Sequence, residues 1–372
     1  MVSGDFPPLA NAGIALDSFH RSQAQRSARM IELKKDQLLF SFPKVHPSAR
    51  LAIEFQRTLR IPDDGRDHPL PPGLGTFPLR HVDDFAANVP AAWIEHGGVM
   101  LPMHTAEAMW LRFEAHEDSQ READYPFAVR IAAGKVNAVT GQLWSPGLHR
   151  KPQDYVVIPE QPWLDGFCVE KGTIRQFVAM PLGEGYTAEE QITGEAEHGG
   201  IQIEIFPMKR EVFERRFPIP ELQDRASHFP CRPAYSMALH ESPAMGLGAG
   251  GRMRQEISED PFRFDDWDRS HSLRCFVHLT HAQTWRAITG QAPPTEPPTA
   301  AAYSHAGLPW FDYYSDGPAV PGSAILAGID SIATLGKKTG KQPLPENEPV
   351  TNQKVVLLRK DLKKDQVREG TF

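Results

Sequence analysis

The sequence has few cysteines and no long apolar run. The chain has three cysteines, Cys168, Cys231 and Cys275. Their odd number and wide spacing exclude a disulfide framework and favour a reducing compartment. A membrane-spanning helix needs about 18 or more apolar residues in succession, and the nearest approach, at 322–336, is interrupted by Asp330. The N-terminus also lacks the lysine-flanked apolar core of a secretory signal. We therefore expect a cytoplasmic protein without a membrane span.

Basic residues do not outnumber acidic ones. The chain has 40 lysines and arginines against 47 aspartates and glutamates, which gives a formal net charge of −7. A protein that neutralises nucleic-acid phosphates normally carries an excess of basic residues on one face. The composition therefore predicts no nucleic-acid partner.

Proline, by contrast, is abundant, at 34 of 372 residues. Because proline interrupts helices and central strands, this number excludes a bundle of long helices. Apolar residues make up 40% of the chain and charged residues 23%, which is ordinary for a globular protein. We therefore expect a globular core built from short elements that many ordered loops connect.

Short runs of β-branched and aromatic residues dominate the chain as far as about residue 210. The predicted strands are Gln37–Phe42, Arg50–Phe55, Gly98–Met103, Phe127–Ala132, Tyr155–Ile158, Thr173–Ala179 and Ile201–Phe206. Two hairpins are expected, one over 127–139 with its turn at Ala133–Gly134 and one over 168–179 with its turn at Lys171–Gly172. Glycine provides the positive φ that such tight turns require.

Helix signals are fewer. Thr187 and Glu190 have the spacing of a capping box, in which a hydroxyl and a carboxylate bind free amides at a helix start. A helix is also expected over Ser323–Leu335, and a shorter one over Ala282–Ile288 after a Thr280 cap.

Together these patterns predict an α+β protein with a β-rich, antiparallel, sandwich-like sheet, a loop-rich C-terminal portion and few short helices. We expect a flexible N-terminal extension over 1–30 and a β-rich sandwich-like region over 31–210. A loop-rich α+β region over 211–358 is expected to pack on that sheet, followed by a flexible charged tail over 359–372.

Three runs carry a resemblance to known sequences: Phe55–Pro62, Gln161–Phe167 and Gly307–Tyr314. Together they resemble an uncharacterised family of soluble microbial proteins with no known activity, over about residues 30–359. Some members of that family carry a membrane-protein label, which disagrees with the composition of this chain. The resemblance implies no activity and no catalytic residue.

The densest group of acid, base and ligand side chains is Glu195, Glu197 and His198. In an extended segment Glu195 and Glu197 project to one face, because side chains alternate along a strand. Two carboxylates with an imidazole can bind a divalent metal or share acid–base catalysis. The same residues also suit a polar turn that leads into the strand at Ile201–Phe206, and both interpretations remain open here.

Cys168 is a second candidate catalytic residue. Lys171 follows three residues later, and a nearby cation lowers the pKa of a thiol towards the reactive thiolate. A Cys–His pair with His198 is one hypothesis. The alternative is a buried free cysteine that packs as a small apolar residue.

The run 246–251 matches G-x-G-x-x-G, but it lacks the preceding strand and following helix that a dinucleotide fold requires. Glycine amides followed by two arginines can instead bind a phosphate or carboxylate. The predicted anion-binding residues are Gly248, Gly250, Gly251, Arg252 and Arg254. The alternative is a tight structural loop in which the arginines pair with Glu256 or Asp260.

No complete catalytic set can be assembled from neighbouring residues. The leading hypothesis is therefore a cytoplasmic binding or assembly protein without catalysis, and the alternative is a small-molecule hydrolase or lyase that uses the Glu195/Glu197/His198 cluster or Cys168. A small anionic ligand, a protein partner and a homo-oligomer remain open. The sequence identifies neither a metal nor a cofactor.

Overall fold

A computed structural model describes residues 30–220, 244–314, 318–340, 350 and 354–359. Residues 1–29 of the predicted extension, Cys231 and residues 360–372 of the predicted tail lie outside the described residues. The strands are β1 Ile31–Lys34, β2 Gln37–Ser41, β3 Arg50–Thr58, β4 Asp67–His68, β5 Gly73–Thr76, β6 Arg80–His81, β7 Val99–Met103, β8 Ala108–Ala115, β9 Glu117–Asp118, β10 Ala123–Asp124, β11 Phe127–Ala133, β12 Val136–Asn137, β13 Val156–Ile158, β14 Trp163–Leu164, β15 Gly166–Glu170, β16 Thr173–Pro181, β17 Ile201–Pro207, β18 Ala244–Arg254, β19 Leu273–His281, β20 Trp310–Tyr314 and β21 Val355–Arg359. The α-helices are α1 Ala91–His96, α2 Ala188–Thr193, α3 Arg210–Arg216, α4 Ala282–Thr289, α5 Ala300–His305, α6 Ala324–Ala327 and α7 Ile332–Lys338, and 3-10 turns lie at Asp83–Phe85 and Phe264–Asp266.

One large sheet organises the molecule. It contains 17 strands, β1–β8 and β11–β19. Its central path runs β2-β3-β8-β16-β18-β19-β17-β11-β13, and every pair along this path is antiparallel. The short strands β4 and β7 join it in parallel, on β18 and β19. Strands β18 and β19 therefore lie in the middle of a sheet whose outer strands come from the first half of the chain.

The two ends of this path come together and enclose the core. Phe42, next to β2, contacts Phe127 of β11 with ring centroids 5.8 Å apart. The main buried apolar cluster includes residues from strands along the whole path, such as Phe55, Phe177 and Ile203. The sheet thus bends back on itself in a sandwich-like manner and buries one continuous core. The predicted fold class, α+β with a large antiparallel sheet and few short helices, is confirmed.

Both predicted hairpins are present. β11 pairs with β12 and β15 pairs with β16. Gly134 and Gly172 have φ of 55° and 77°, a conformation that costs glycine little because it has no Cβ. The capping box is also confirmed, since the Thr187 hydroxyl accepts from the Glu190 amide at 3.2 Å.

The glycine-rich segment predicted as a loop is instead part of strand β18. Its glycines allow other backbone segments to pass very close to the strand. A Cβ on Gly251 would lie 2.4 Å from the Pro62 carbonyl oxygen, and one on Gly248 would lie 2.8 Å from that of Tyr186. Close approach between non-adjacent segments, and not a turn, explains the glycines.

The prediction of one helix over Ser323–Leu335 was wrong, because that segment contains two short helices, α6 and α7. The hydroxyl of Ser323 accepts from the Leu326 amide at 3.3 Å and begins α6. Ser331 begins α7 in the same way, accepting from Thr334 at 3.2 Å. Each serine satisfies amides that a continuous helix would bond internally, so the second cap starts a new helix. At α4 the cap is His281 and not Thr280.

Among the described residues, none of the helices has the length and apolar character needed to cross a membrane.

Asp165 is a buried carboxyl group at the junction of β14 and β15. Burial raises its pKa to about 7, and hydrogen bonds from the side chains of Gln255 and Trp163 oppose that rise. The Gln255 amide nitrogen lies 2.6 Å from Asp165 Oδ2. Because the folded protein holds this proton more tightly than the unfolded chain, Asp165 contributes stability that is fully present below the ordinary pKa of 3.8 and is lost as the pH rises through 7.

We expect Asp165→Asn to remove this pH dependence. The free energy of unfolding of the parent minus that of the variant should fall by roughly 2–3 kcal/mol between pH 5 and pH 7.5, because the carboxyl group loses its proton over this range in the folded protein. Urea denaturation at both pH values measures this difference. The exposed Asp265→Asn is the matched control and should show a flat difference. A flat difference for Asp165→Asn as well would show that the carboxyl group is ionised in the fold.

Candidate functional site

A well-formed cleft lies between four chain segments, 139–140, 150–153, 259–260 and 320–325. Its volume is about 570 Å³, within the range of sites for small organic molecules. The first segment follows β12, where Asn137 Oδ1 accepts from the amides of Val139 and Thr140 at 2.9 Å. This Asn turn makes one wall of the cleft rigid.

Asp260 is the centre of the polar network at the base of the cleft. Its Oδ2 accepts from Tyr155 Oη at 2.6 Å, from Trp267 Nε1 at 3.0 Å and from Arg150 Nη1 at 3.3 Å. Its Oδ1 accepts from the Phe262 amide at 2.8 Å. Burial and the Asp260 carboxylate raise the pKa of Tyr155 well above its usual value, so the phenol remains a hydrogen-bond donor. These bonds balance the buried charge of Asp260.

The 150–153 segment is held against the irregular segment 258–262 by hydrogen bonds. Arg150 Nη1 donates to the Phe262 carbonyl at 2.6 Å. Gln153 accepts from the Asp260 amide at 2.9 Å and donates to the Ser258 carbonyl at 3.1 Å. The cleft is therefore largely pre-formed, which reduces the entropy lost when a ligand binds.

The 320–325 segment closes the third side. Val320 donates its amide to the Ile257 carbonyl at 2.9 Å. Ser323 Oγ donates to the Thr140 carbonyl at 2.5 Å and joins this segment to the Asn turn. Ile325 remains 46% exposed at the rim, and Val320 and Pro321 add apolar surface to the lining. The cleft thus combines apolar walls with a polar base.

Two charged side chains in the cleft have no ionic partner among the described residues. Lys151 and Glu259 are both exposed, and neither forms an ion pair or a side-chain hydrogen bond with a described residue. The other two charges of the cleft, Arg150 and Asp260, neutralise each other. Lys151 and Glu259 are therefore available to a ligand.

Cys168 lies in the apolar core on β15. Burial raises the pKa of its thiol to about 12, so the thiol is protonated near neutral pH. Its carbonyl accepts from the Ser323 amide at 3.0 Å, which ties β15 to the cleft. No contact between Cys168 and His198 occurs within the part of the chain that the structure describes.

Glu197 and His198 share a smaller cavity of about 170 Å³ with His96, His278 and Trp93. His198 Nδ1 lies 3.9 Å from Glu197 Oε1, and the rings of His96 and His198 are 5.5 Å apart. Contact with Lys135 holds the pKa of Glu197 below its usual value. The structure therefore brings together two of the predicted catalytic residues and adds two histidines that sequence reasoning did not connect with them.

The histidine cavity has a rigid aromatic side. Trp93 stacks on His278 with centroids 4.6 Å apart, and His278 Nε2 lies 2.9 Å from the Gly97 carbonyl oxygen. Burial lowers the pKa of His278 to about 4, so this ring is neutral at physiological pH. Glu195 is exposed and lies outside the lining of this cavity.

A buried carboxylate positions the backbone beside His198. Glu189 of α2 accepts from the Gly199 amide at 2.8 Å and from the His198 amide at 3.3 Å. The acidic segment therefore forms an irregular connection into β17. Whether Glu195, Glu197 and His198 take part in catalysis stays a prediction.

The predicted anion-binding residues all lie on β18. Gly248, Gly250 and Gly251 are buried within the sheet. Arg252 pairs with Asp67 at 2.8 Å and with Glu170 at 3.0 Å, and Arg254 pairs with Asp312 at 3.0 Å. The arginines thus pair with more distant acids than Glu256 or Asp260. Anion binding there stays a prediction, and any anion has to compete with these carboxylates.

Within the described ranges, no group of three or more histidine, cysteine, aspartate or glutamate side chains has the arrangement needed to hold a metal ion.

No family model matches the chain, and neither a curated protein nor a solved structure is similar to it at a significant level. The assignment of the site therefore depends on its geometry.

Sequence reasoning missed the residues of the large cleft. Lys151, Glu259 and Ile325 come from three segments far apart in the chain, and no short motif links them. The only local signal was the density of proline and charge around 150–153 and 259–261.

Proposed function

We propose that the protein binds a small organic molecule in the cleft formed by segments 139–140, 150–153, 259–260 and 320–325, without catalysing a reaction on it. The observation that carries this proposal is the combination of a pre-formed cleft of about 570 Å³ with the charges of Lys151 and Glu259, which have no ionic partner among the described residues. An apolar lining with a few polar groups is the usual composition of a ligand site.

Acid–base catalysis in the histidine cavity has weaker support. Lys135 forms an ion pair with Glu197, which makes the Glu197 carboxylate a weaker base. The distance of 3.9 Å between His198 Nδ1 and Glu197 Oε1 is also too long for a hydrogen bond. The cavity volume of about 170 Å³ also limits the size of any substrate.

A blocked cleft tests the proposal. Ile325→Trp places a large ring at the rim of the cleft. For any compound that stabilises the parent protein by binding in this cleft, we expect the variant to have an affinity at least tenfold lower. Leu308→Trp is the matched control, because Leu308 has the same 46% exposure and does not line the cleft. Thermal melts against a library of small organic acids, amines and zwitterions identify the ligands, since a ligand at 100 times its Kd adds about 2.7 kcal/mol of stability.

Two results contradict the proposal. In the first, no compound in the library raises the melting temperature of the parent. In the second, every compound that does so binds Ile325→Trp and the parent equally well, which places the binding outside the cleft.

We also propose that the protein acts in the cytoplasm and has no nucleic-acid partner. The net charge of −7 and the buried free thiols of Cys168 and Cys275 support this. We expect no retention of the protein on duplex DNA at 150 mM salt. Salt-sensitive retention there would contradict the expectation.

A further inference from the structure

The charges of the cleft have a specific arrangement. Arg150 and Asp260 form one neutral pair, and the Asp260 carboxylate is saturated by Tyr155, Trp267 and the Phe262 amide. One cation, Lys151, and one anion, Glu259, remain. They line the same cleft and form no ion pair with each other.

Opposite charges at two places in one cleft select against most simple ligands. A bound anion satisfies Lys151 but leaves Glu259 partly desolvated beside a like charge. A bound cation does the reverse, and a neutral ligand desolvates both side chains without compensation. A molecule with both charges compensates both side chains at once.

The cleft also has apolar lining. Val139, Val320, Pro321 and Ile325 contribute to this lining, and the cleft volume accommodates a body of roughly the size of a dipeptide or tripeptide. A ligand that carries an apolar body as well as both charges therefore suits the apolar lining and the two charged side chains.

From this arrangement we infer that the ligand of the cleft is a zwitterion with an apolar body, of the class of short apolar peptides and related amino acids. Its carboxylate faces Lys151 and its ammonium group faces Glu259. This inference rests on the proposed function, because it names the class of ligand for the same cleft.

The test uses peptides that differ only in their end charges. The probes are leucine, leucyl-leucine and leucyl-leucyl-leucine, each in its free form, its N-acetyl form, its C-terminal amide form and its doubly blocked form. Calorimetric titration measures their affinities. We expect at least one free form to bind ten times or more tightly than each of its three blocked forms, a difference of about 1.4 kcal/mol per tenfold.

Two variants assign the charges. In Lys151→Met the free peptide and its C-terminal amide should bind equally, because the partner of the carboxylate is gone. In Glu259→Gln the free peptide and its N-acetyl form should bind equally. Lys44→Met, at an exposed lysine outside the cleft, is the control and should retain the full preference. Thermal melts establish that all three variants fold.

The inference is overturned if no free form binds more tightly than its blocked forms. In that case the proposed function still stands if a singly charged or neutral compound binds the parent and loses affinity in Ile325→Trp. If no compound depends on Ile325, the proposed function fails as well.

Discussion

Glu107→Leu is expected to lower the free energy of unfolding by about 3–5 kcal/mol, because it leaves the buried guanidinium of Arg57 without its carboxylate. Glu107 is 2% exposed and Arg57 is 5% exposed. Arg57 Nε lies 2.7 Å from Glu107 Oε1, and Nη2 lies 2.5 Å from the same oxygen. Glu107 Oε2 also accepts from the His104 amide at 2.9 Å.

This ion pair joins distant parts of the chain. Arg57 lies on β3, Glu107 immediately precedes β8, and Arg57 also donates to the Thr295 carbonyl in the proline-rich segment that follows α4. His104 Nε2 lies 3.0 Å from the Pro294 carbonyl oxygen. Loss of the carboxylate therefore weakens the attachment of that segment as well as the pair itself.

Urea denaturation of the parent, of Glu107→Leu and of the double variant Arg57→Met/Glu107→Leu measures the effect. The double variant removes both charges and should recover most of the lost stability, since apolar side chains often replace a buried ion pair without a net loss. Asp265→Asn breaks the exposed contact with Arg269 and should change stability by less than about 1 kcal/mol. If the single and double variants are equally destabilised, the unpaired charge of Arg57 is not the cause.

Asp260→Ala is expected to cost about 3–5 kcal/mol, because four donors lose their acceptor at once. The Tyr155 hydroxyl and the Trp267 ring nitrogen are fully buried and cannot turn to water. Asp260→Asn keeps one carbonyl oxygen and should cost less. Tyr155→Phe removes only one donor and should cost about 1 kcal/mol.

Glu259→Ala is the matched control for Asp260→Ala. The two residues are adjacent and line the same cleft, but the Glu259 side chain makes no hydrogen bond within the described chain. We expect Glu259→Ala to change stability by less than about 0.5 kcal/mol. Denaturation curves that show equal losses for the two variants would mean that Asp260 does not organise the base of the cleft.

Local features of the fold were predictable because short-range interactions determine them. The hairpin turns at Gly134 and Gly172 depend on a positive φ that glycine adopts readily. The capping box of Thr187 and Glu190 depends on a spacing of three residues. Short runs of β-branched and aromatic residues indicated most of the long strands.

The role of the 246–251 glycines was not predictable, because it depends on neighbours that are distant in sequence. A glycine-rich run favours a loop when only its own propensity is considered. Here Pro62 and Tyr186 pass so close to β18 that no side chain fits at Gly251 and Gly248. The break at Ser331 was similarly hidden, since Asp63, which contacts the Ser331 hydroxyl, is far away in the chain.

The sequence by itself determined a β-rich α+β chain with an acidic balance, tight glycine turns and capped short helices, because these properties depend on composition and on residues a few positions apart. Only the tertiary structure decided which charges are paired. In the folded protein Arg57 forms a buried ion pair with Glu107, and Arg252 pairs with Asp67. Asp260 accepts several hydrogen bonds, and Lys151 and Glu259 line one cleft. Such pairings form only where segments that are many residues apart in the chain come into contact in the bent sheet. Local sequence patterns do not predict these contacts.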